Sequence, residues 1–394
     1  MSAVGLGQPL EDARAAASGR DVAPTSSLGI ALAGAGAIGR RHAQLLDALH
    51  AESGRARLSA VVDPSDMGRA FAASHQVPWF PDLDALFSVC ASSSTTGNTS
   101  PQVDGVILAT PNTLHVSGAL TCLAHGVPAL IEKPVADSVQ DVERLLEALK
   151  HSDVPMLVGH HRRHSTVLQA AARTLASGDY GRLVSVMGSA QFYKPSGYFD
   201  SAPWRKQQGG GPILINLIHE MDNLRLLCGE IVAVQAMATN ATRGFEVEDT
   251  VVINLRFANG MLGTFALSDT AAGPRSWEQT SGENPDYPRH RDQDCYFVCG
   301  TRGSLAVPTL RAWQYPGNDE AARSWFKPFE ASQLPVQDTD PLVAQLAHFC
   351  DVIERKAKPL VAVADALQSL RVLEAVRASV ASGKLEPVAV APAA

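Results

Sequence analysis

Lys133, in the triplet Glu132-Lys133-Pro134, and His219, in a helical pattern after three glycines, are well suited by type and place to move a proton. A partly desolvated lysine has its pKa lowered toward the range where it exchanges a proton with an alcohol. An imidazole titrates near neutrality and serves as general acid or base, or holds the reacting hydroxyl. Oxidising an alcohol also removes a hydride, which requires a cofactor, and the sequence carries a site for one. Gly34, Gly36 and Gly39 are spaced GxGxxG between a short apolar run and a helical pattern. In such a motif the first glycine makes the turn, the second admits a pyrophosphate, and the third lets helix and strand pack closely. The amides around Ala37 and Ile38, at the helix start, would hold the phosphates. Asp63 follows the next apolar run, where a carboxylate accepts the hydroxyls of an adenosine ribose. An acid there repels a 2′-phosphate, which favours NAD; Arg69 and the Ser65 hydroxyl keep NADP open. An ordinary strand-to-helix turn with Asp63 as a cap is the alternative, and the three contexts together outweigh it.

Three further segments are candidates for the ligand end. Thr110-Pro111-Asn112, with His115, follows a strand directly, where loops line the crevice of an open α/β sheet. Gly159 to His164 reads GHHRRH. It is either an anion-binding rim, with His160 facing the cleft and Arg162 and Arg163 taking a carboxylated or phosphorylated substrate, or a solvated basic turn paired with acids. On the helix after Gly209-Gly210-Gly211, Asn216, His219, Asp222 and Asn223 fall at i, i+3, i+6 and i+7 and so share a face. Tyr193, Tyr198, Phe199 and Trp204 precede those glycines. They suit a ring-shaped ligand or serve packing.

The elements that must position these residues alternate from Leu28 onward. Apolar runs at Leu28–Ala33, Leu58–Val62, Val77–Phe80, Gly105–Ala109, Ala129–Glu132 and Pro155–Gly159 read as strands. Helical patterns lie between them. This predicts an α/β, doubly wound parallel sheet of the Rossmann type over 28–160. Ala91 to Pro101, ASSSTTGNTSP, reads as a surface loop. Beyond residue 160, longer strand patterns such as Thr250–Phe257 and Met261–Leu267, joined through Asn259-Gly260, predict hairpins. With a few helices they imply a second, α+β domain over 161–385, carrying a large open, mainly antiparallel sheet. Residues 1–27 are expected as a flexible leader, with one possible short helix at Glu11–Ala17, and residues 386–394 as a tail.

The chain has 394 residues, 45% hydrophobic and 19% charged, with a net charge of −7. That balance, without any Lys/Arg run, argues against nucleic-acid binding. No apolar run has the length of a membrane span, and the N-terminus lacks a secretory pattern. Six scattered cysteines match no zinc motif and read as reduced thiols of a cytoplasmic protein. No metal is expected.

GAGAIG with Asp63, TPNTLH, EKP and GGGPILINLIHEMD, in that order, together with the later GTRGSL and ALQSLRVLEAV, resemble the Gfo/Idh/MocA oxidoreductases from about Leu28 to Gly383. The resemblance implies that Lys133 is catalytic and that Glu132 positions the nicotinamide end. It places Thr110, Pro111, Asn112 and His115 along the cofactor. It also implies a homodimer or homotetramer built through the open sheet. The family commonly has an aspartate four residues before the histidine, and here that position is Ile215. The expectation is therefore an NAD-dependent dehydrogenase acting on a secondary hydroxyl of a small cyclic substrate. Loss of the aspartate, the arginine pair and the aromatic loop tilt the substrate toward a cis-dihydrodiol of an aromatic carboxylic acid. A sugar or inositol is the alternative, and a non-catalytic dinucleotide-binding sensor is the reading from another class.

Overall fold

The structure, a computed structural model, describes residues 27–96, 100–317, 319–335, 337 and 339–390. The expected leader and its Glu11–Ala17 helix lie outside these residues. Six strands, Leu28–Ala33 (β1), Ala56–Val62 (β2), Trp79–Phe80 (β3), Gly105–Leu108 (β4), Ala129–Glu132 (β5) and Met156–Gly159 (β6), form one sheet in the order β3-β2-β1-β4-β5-β6. All neighbours are parallel. Their near-continuous apolar runs follow from burial on both faces. Ala31, Val106 and Ile131 point into one core layer, and Ile30, Ile107 and Leu130 into the other. The strand order reverses between β1 and β4, so the crevice for a ligand opens at their carboxyl ends.

Local signals set the helix boundaries. Ser65 and Ser138 cap helices Asp66–Ser74 and Val139–Leu149 by accepting the amides of Gly68 and Asp141. The expected loop at Ala91–Pro101 is largely helical, because helix Leu83–Thr96 continues through the serines and threonines. These residues cost only tenths of a kcal/mol each in a helix, whereas glycine and proline break one, and the first of those in this run is Gly97.

The second sheet has nine strands: Leu183–Gln191 (β7), Ile231–Thr239 (β8), Thr250–Phe257 (β9), Leu262–Ser268 (β10), Tyr296–Gly300 (β11), Gly303–Val307 (β12), Arg311–Gln314 (β13), Glu330–Gln333 (β14) and Glu386–Pro387 (β15). They run in the order β14-β13-β12-β11-β7-β10-β9-β8-β15. Every pair is antiparallel except β7 with β10. Strand β9 alternates buried and exposed along its length, so one face packs on helices and the other stays open. Met237 and Met187 on strands β8 and β7 are 75% and 59% exposed. Strand β14 is exposed throughout and has no apolar alternation to reveal it. Strand β15 lies where a tail was expected; Val388, just beyond it, is buried and donates its amide to Val232.

The two C-terminal helices cross the boundary that the sequence suggested. Beside helix Ala37–Ser53, helix Pro341–Ile353 covers one face of the first sheet, putting Leu346, Phe349 and Cys350 into the first domain's core. Gly105 makes room, since a Cβ there would lie 2.6 Å from the Ile353 side chain. Helix Val363–Ser382 contributes Leu367 and Leu370 to the first core, and Val372, Leu373 and Val376 to the second. Replacing the fully buried Phe349 by alanine should therefore destabilise the first domain by about 3–5 kcal/mol. Chemical denaturation followed at the domain's Trp79 checks this, and an unchanged midpoint would show that the helix is not integral to that core.

Candidate active site

The turn after β1 is shaped by close approach. Gly34 has φ 95°, and a Cβ on it would lie 2.5 Å from the Ala109 carbonyl. A Cβ on Gly39 would lie 1.9 Å from the Gly34 carbonyl, so helix Ala37–Ser53 can seat only with glycine there. Gly36 has open space around it and precedes a helix start with no side-chain cap. Gly36, Ala37 and Ile38 are exposed, leaving the first helical amides available to an anion. Asp63, at the tip of β2, accepts the amides of Ala35 at 2.8 Å and Ser65 at 2.9 Å. Burial raises its pKa, but these bonds and the Ser65 hydroxyl outweigh it and hold the carboxyl below the usual range.

Beyond this turn lies a cleft of about 690 Å³, lined from both domains. Ile38, Thr110, Pro111, Asn112, His115, Glu132 and Lys133 come from the first, and His161, Trp204, Leu214, Ile215 and His219 from the second. The Thr110 hydroxyl is buried with no partner among the described residues. His115 is almost wholly buried, its ring nitrogens 2.8 and 2.9 Å from the carbonyls of Pro134 and Thr110. It thus braces the two loops against each other. Burial lowers the pKa of Lys133, with Glu132 opposing and Arg162 adding to the fall. Burial also takes His219 well below its usual value, assisted by Lys133 and Arg162, so its imidazole is neutral in the physiological range. His161 is brought down to about 3 by burial and the Arg162 charge, and its ring centroid lies 5.2 Å from that of His219.

Several sequence-based placements are corrected. His160 does not face the cleft: it is 1% exposed, with Nδ1 3.5 Å from Asp222. The strand ends at Gly159 and tightens at once into a 3₁₀ turn over His161–His164, so His161 takes the cleft position. Arg162 and Arg163 form no free anion rim. The Arg162 guanidinium donates to Glu220 at 2.7 Å and Glu278 at 2.5 Å, and Arg163 makes a two-pronged pair with Asp222 at 2.7 and 2.8 Å. Buried cations require such partners. Asp222 is drawn down to about 2, against its burial, by His160 and Arg163. Asn216 and Asn223 do not line the cleft either. Asn216 accepts the Lys194 ammonium at 2.7 Å, and Asn223 is fully buried and donates to the Tyr296 hydroxyl at 2.9 Å. Asn216 lies in a π-helical turn over Ile213–Leu217, where Leu214 and Ile215 line the cleft, whereas Asn223 keeps its helical place one turn beyond His219 and is buried because helix Ile218–Cys228 is enclosed on nearly every side. Of the aromatic group, Trp204 lines the cleft and Phe199 is buried. Sequence reasoning missed His161, Leu342 and His42. A histidine on the buried stripe of the first helix was a visible signal for the last; Leu342 carried none.

The family description "Oxidoreductase family, NAD-binding Rossmann fold" matches residues 28–160, and "GFO/IDH/MocA C-terminal domain" matches residues 168–306. The chain belongs to the GFO/IDH/MocA family. It is 27% identical to the 1,5-anhydro-D-fructose reductase of Ensifer adhaerens over 72% of this chain and 79% of that protein. It is 25% identical to the inositol 2-dehydrogenase of Corynebacterium glutamicum over 60% and 66%. The fold is also that of the WlbA dehydrogenase of Bordetella pertussis, solved with NADH and UDP-GlcNAcA. The TM-score is 0.70 at 22% identity, covering 93% of this chain and all of that one. As a GFO/IDH/MocA member the protein is an oxidoreductase that uses NAD. The uncapped helix start, the open space at Gly36, the ionised Asp63 and the partnerless Thr110 hydroxyl fit that cofactor. Among the described residues no cluster of His, Cys, Asp or Glu could hold a metal ion, and no helix is long and apolar enough to cross a membrane. Changing Asp63 to serine removes the carboxylate that would bind the ribose and repel a 2′-phosphate. NAD affinity should fall by about tenfold or more, in line with the 1.5–3 kcal/mol of a charged hydrogen bond, and discrimination against NADP should relax. Calorimetric titration of both cofactors checks this; an unchanged preference rejects the role.

Proposed function

We propose that this protein is a dehydrogenase that interconverts a secondary hydroxyl and a ketone on a ring carbon of a small, sugar-like polyol. The observation that carries this reading is that Lys133 of the first domain and His219 of the second line one cleft with the Thr110-Pro111-Asn112 loop. NAD, when bound, accepts the hydride in oxidation and returns it in reduction. In oxidation the neutral Lys133 amine takes the hydroxyl proton; in reduction the ammonium gives it back. His219, neutral by burial, holds the same oxygen by hydrogen bonding. Ile38, Leu214, Ile215 and Leu342 form apolar walls that exclude water, and Trp204 offers an aromatic face to the C–H side of a ring.

The engaged guanidinium groups of Arg162 and Arg163 remove the main reason for a carboxylated dihydrodiol. A neutral ring polyol is the better fit, as the names of the reductase and inositol dehydrogenase relatives suggest. With Ile215 at the position of the family's aspartate, proton handling falls to Lys133 and His219 alone. The test is NAD reduction against sugars, inositols, sugar acids and cis-dihydrodiols of benzoate-type acids. Turnover should need a ring hydroxyl and no carboxylate. Changing Lys133 to methionine should lower kcat by about 10²–10⁴-fold with NAD affinity nearly unchanged. The oxidation rate should rise with pH through the pKa of Lys133, which burial holds below that of an ordinary lysine. Turnover surviving in the Lys133 variant rejects the assignment, and silence across the panel with NAD still bound favours a sensor.

We infer also that a second copy covers the open sheet face, where Met187, Met237, Val252 and Leu262 are each about half exposed or more. Sedimentation should show a dimer or larger assembly that Met237→Glu weakens; a wild-type monomer contradicts this.

A further inference from the structure

We propose that His42 is a positioning residue for Lys133: by donating to Glu132 it keeps that carboxylate seated and charged beside the lysine, and so sets the protonation state in which Lys133 meets the substrate. The inference rests on reading Lys133 as the acid–base group.

His42 lies on the buried stripe of helix Ala37–Ser53 with Gly39, Ala43, Leu45 and Leu46, and it is wholly inaccessible to solvent. An aliphatic residue would satisfy that stripe without the cost of burying an imidazole. Among the described residues the imidazole makes one hydrogen bond. Its Nε2 donates to Glu132 Oε1 at 2.8 Å, while Nδ1 has no partner. Glu132 is itself 5% exposed, and its other oxygen receives only a long bond, 3.3 Å, from the Lys133 amide. On the adjacent strand Gly159 leaves the space: a Cβ there would stand 3.1 Å from Glu132 Oε1. The carboxylate thus sits in a narrow slot with His42 as its one short donor among the described residues.

The charged and titratable groups facing Lys133 come from four elements. Glu132, its neighbour on β5, and Glu278, on helix Trp277–Ser281, favour the ammonium, and Arg162 opposes it. His161, after β6, and His219, on helix Ile218–Cys228, share the cleft with the lysine, the enclosed His160 feels its charge, and burial lowers the pKa of all three. Glu278 already serves Arg162, which leaves Glu132 as the immediate counter-charge. Without His42 the buried Glu132 carboxylate would lose its strongest bond and bind a proton more readily. A protonated Glu132 no longer stabilises the ammonium, so Lys133 would give up its proton at lower pH.

The pH dependence of Lys133 acetylation by trace labelled acetic anhydride, read by mass spectrometry on the full chain, tests this without any substrate. The midpoint should fall by about one pH unit in His42→Leu. It should return toward the wild-type value in His42→Gln, whose amide can donate from the same place. Glu132→Gln should reproduce the fall, and adding His42→Leu to it should change nothing further. Equal midpoints in wild type, His42→Leu and Glu132→Gln overturn the proposal, as does His42→Gln behaving like His42→Leu. Should His42→Leu not fold, Glu132→Gln decides: a fall of about one unit, with His42→Gln near wild type, supports the link, and no fall overturns it. A failed substrate panel leaves this readout standing, so the two readings fail separately.

Discussion

Burial of charge where the two domains meet is the constraint on which the site depends. The chain leaves the last strand of the first sheet and places Arg162 and Arg163 inside the protein within four residues. Neither guanidinium can lose its proton, so each must find a carboxylate there. Glu220 and Asp222 on helix Ile218–Cys228, and Glu278 beyond the second sheet's central strands, supply them. Removing one partner of such a buried pair typically costs about 3–5 kcal/mol, because the other is left uncompensated. The pairs therefore fix how that helix sits against the turn that leaves the first domain's last strand. His219 is on the same helix, and His161 is in the same turn as the arginines. Docking the charges thus brings both imidazoles to Lys133.

The same region shows how a net acidic protein keeps free charge beside the cleft low. The cations beside the cleft are internally neutralised. The histidines facing it are desolvated and uncharged, and their surroundings include Lys133 and Arg162, which oppose further positive charge. What remains on the walls is apolar surface, an indole, and a few groups able to hold a hydroxyl. Such a lining rewards orientation over electrostatic attraction, which suits a reaction whose redox step is carried by a cofactor.

The two terminal helices join the halves into one structure. A doubly wound sheet needs both faces covered, and helix Pro341–Ile353 supplies part of that cover from far along the chain. The same helix carries Leu342 to the rim of the cleft. Helix Val363–Ser382 then spans both cores, so the packing units do not follow the order of the chain.

The sequence by itself determined the parallel sheet, the glycine turn, Asp63 and the pair Lys133 and His219. Each of these rests on local chemistry: apolar runs of strand length, glycines that contact forces, and side-chain types at strand ends. It also showed the Asn259-Gly260 hairpin. What only the tertiary structure decided are the features set by distant partners. Arg162 and Arg163 read equally as rim or as paired cations until the acids of another helix were placed beside them. His160 and His161 differ by one residue, and a tight turn, invisible in hydropathy, chose between them. Asn216 and Ile215 both fall near the face of His219 by helical spacing, and only the packed structure, with a π turn there, sends Asn216 to Lys194 and Ile215 to the cleft. His42 and Glu132 are 90 positions apart, and only folding makes them a pair.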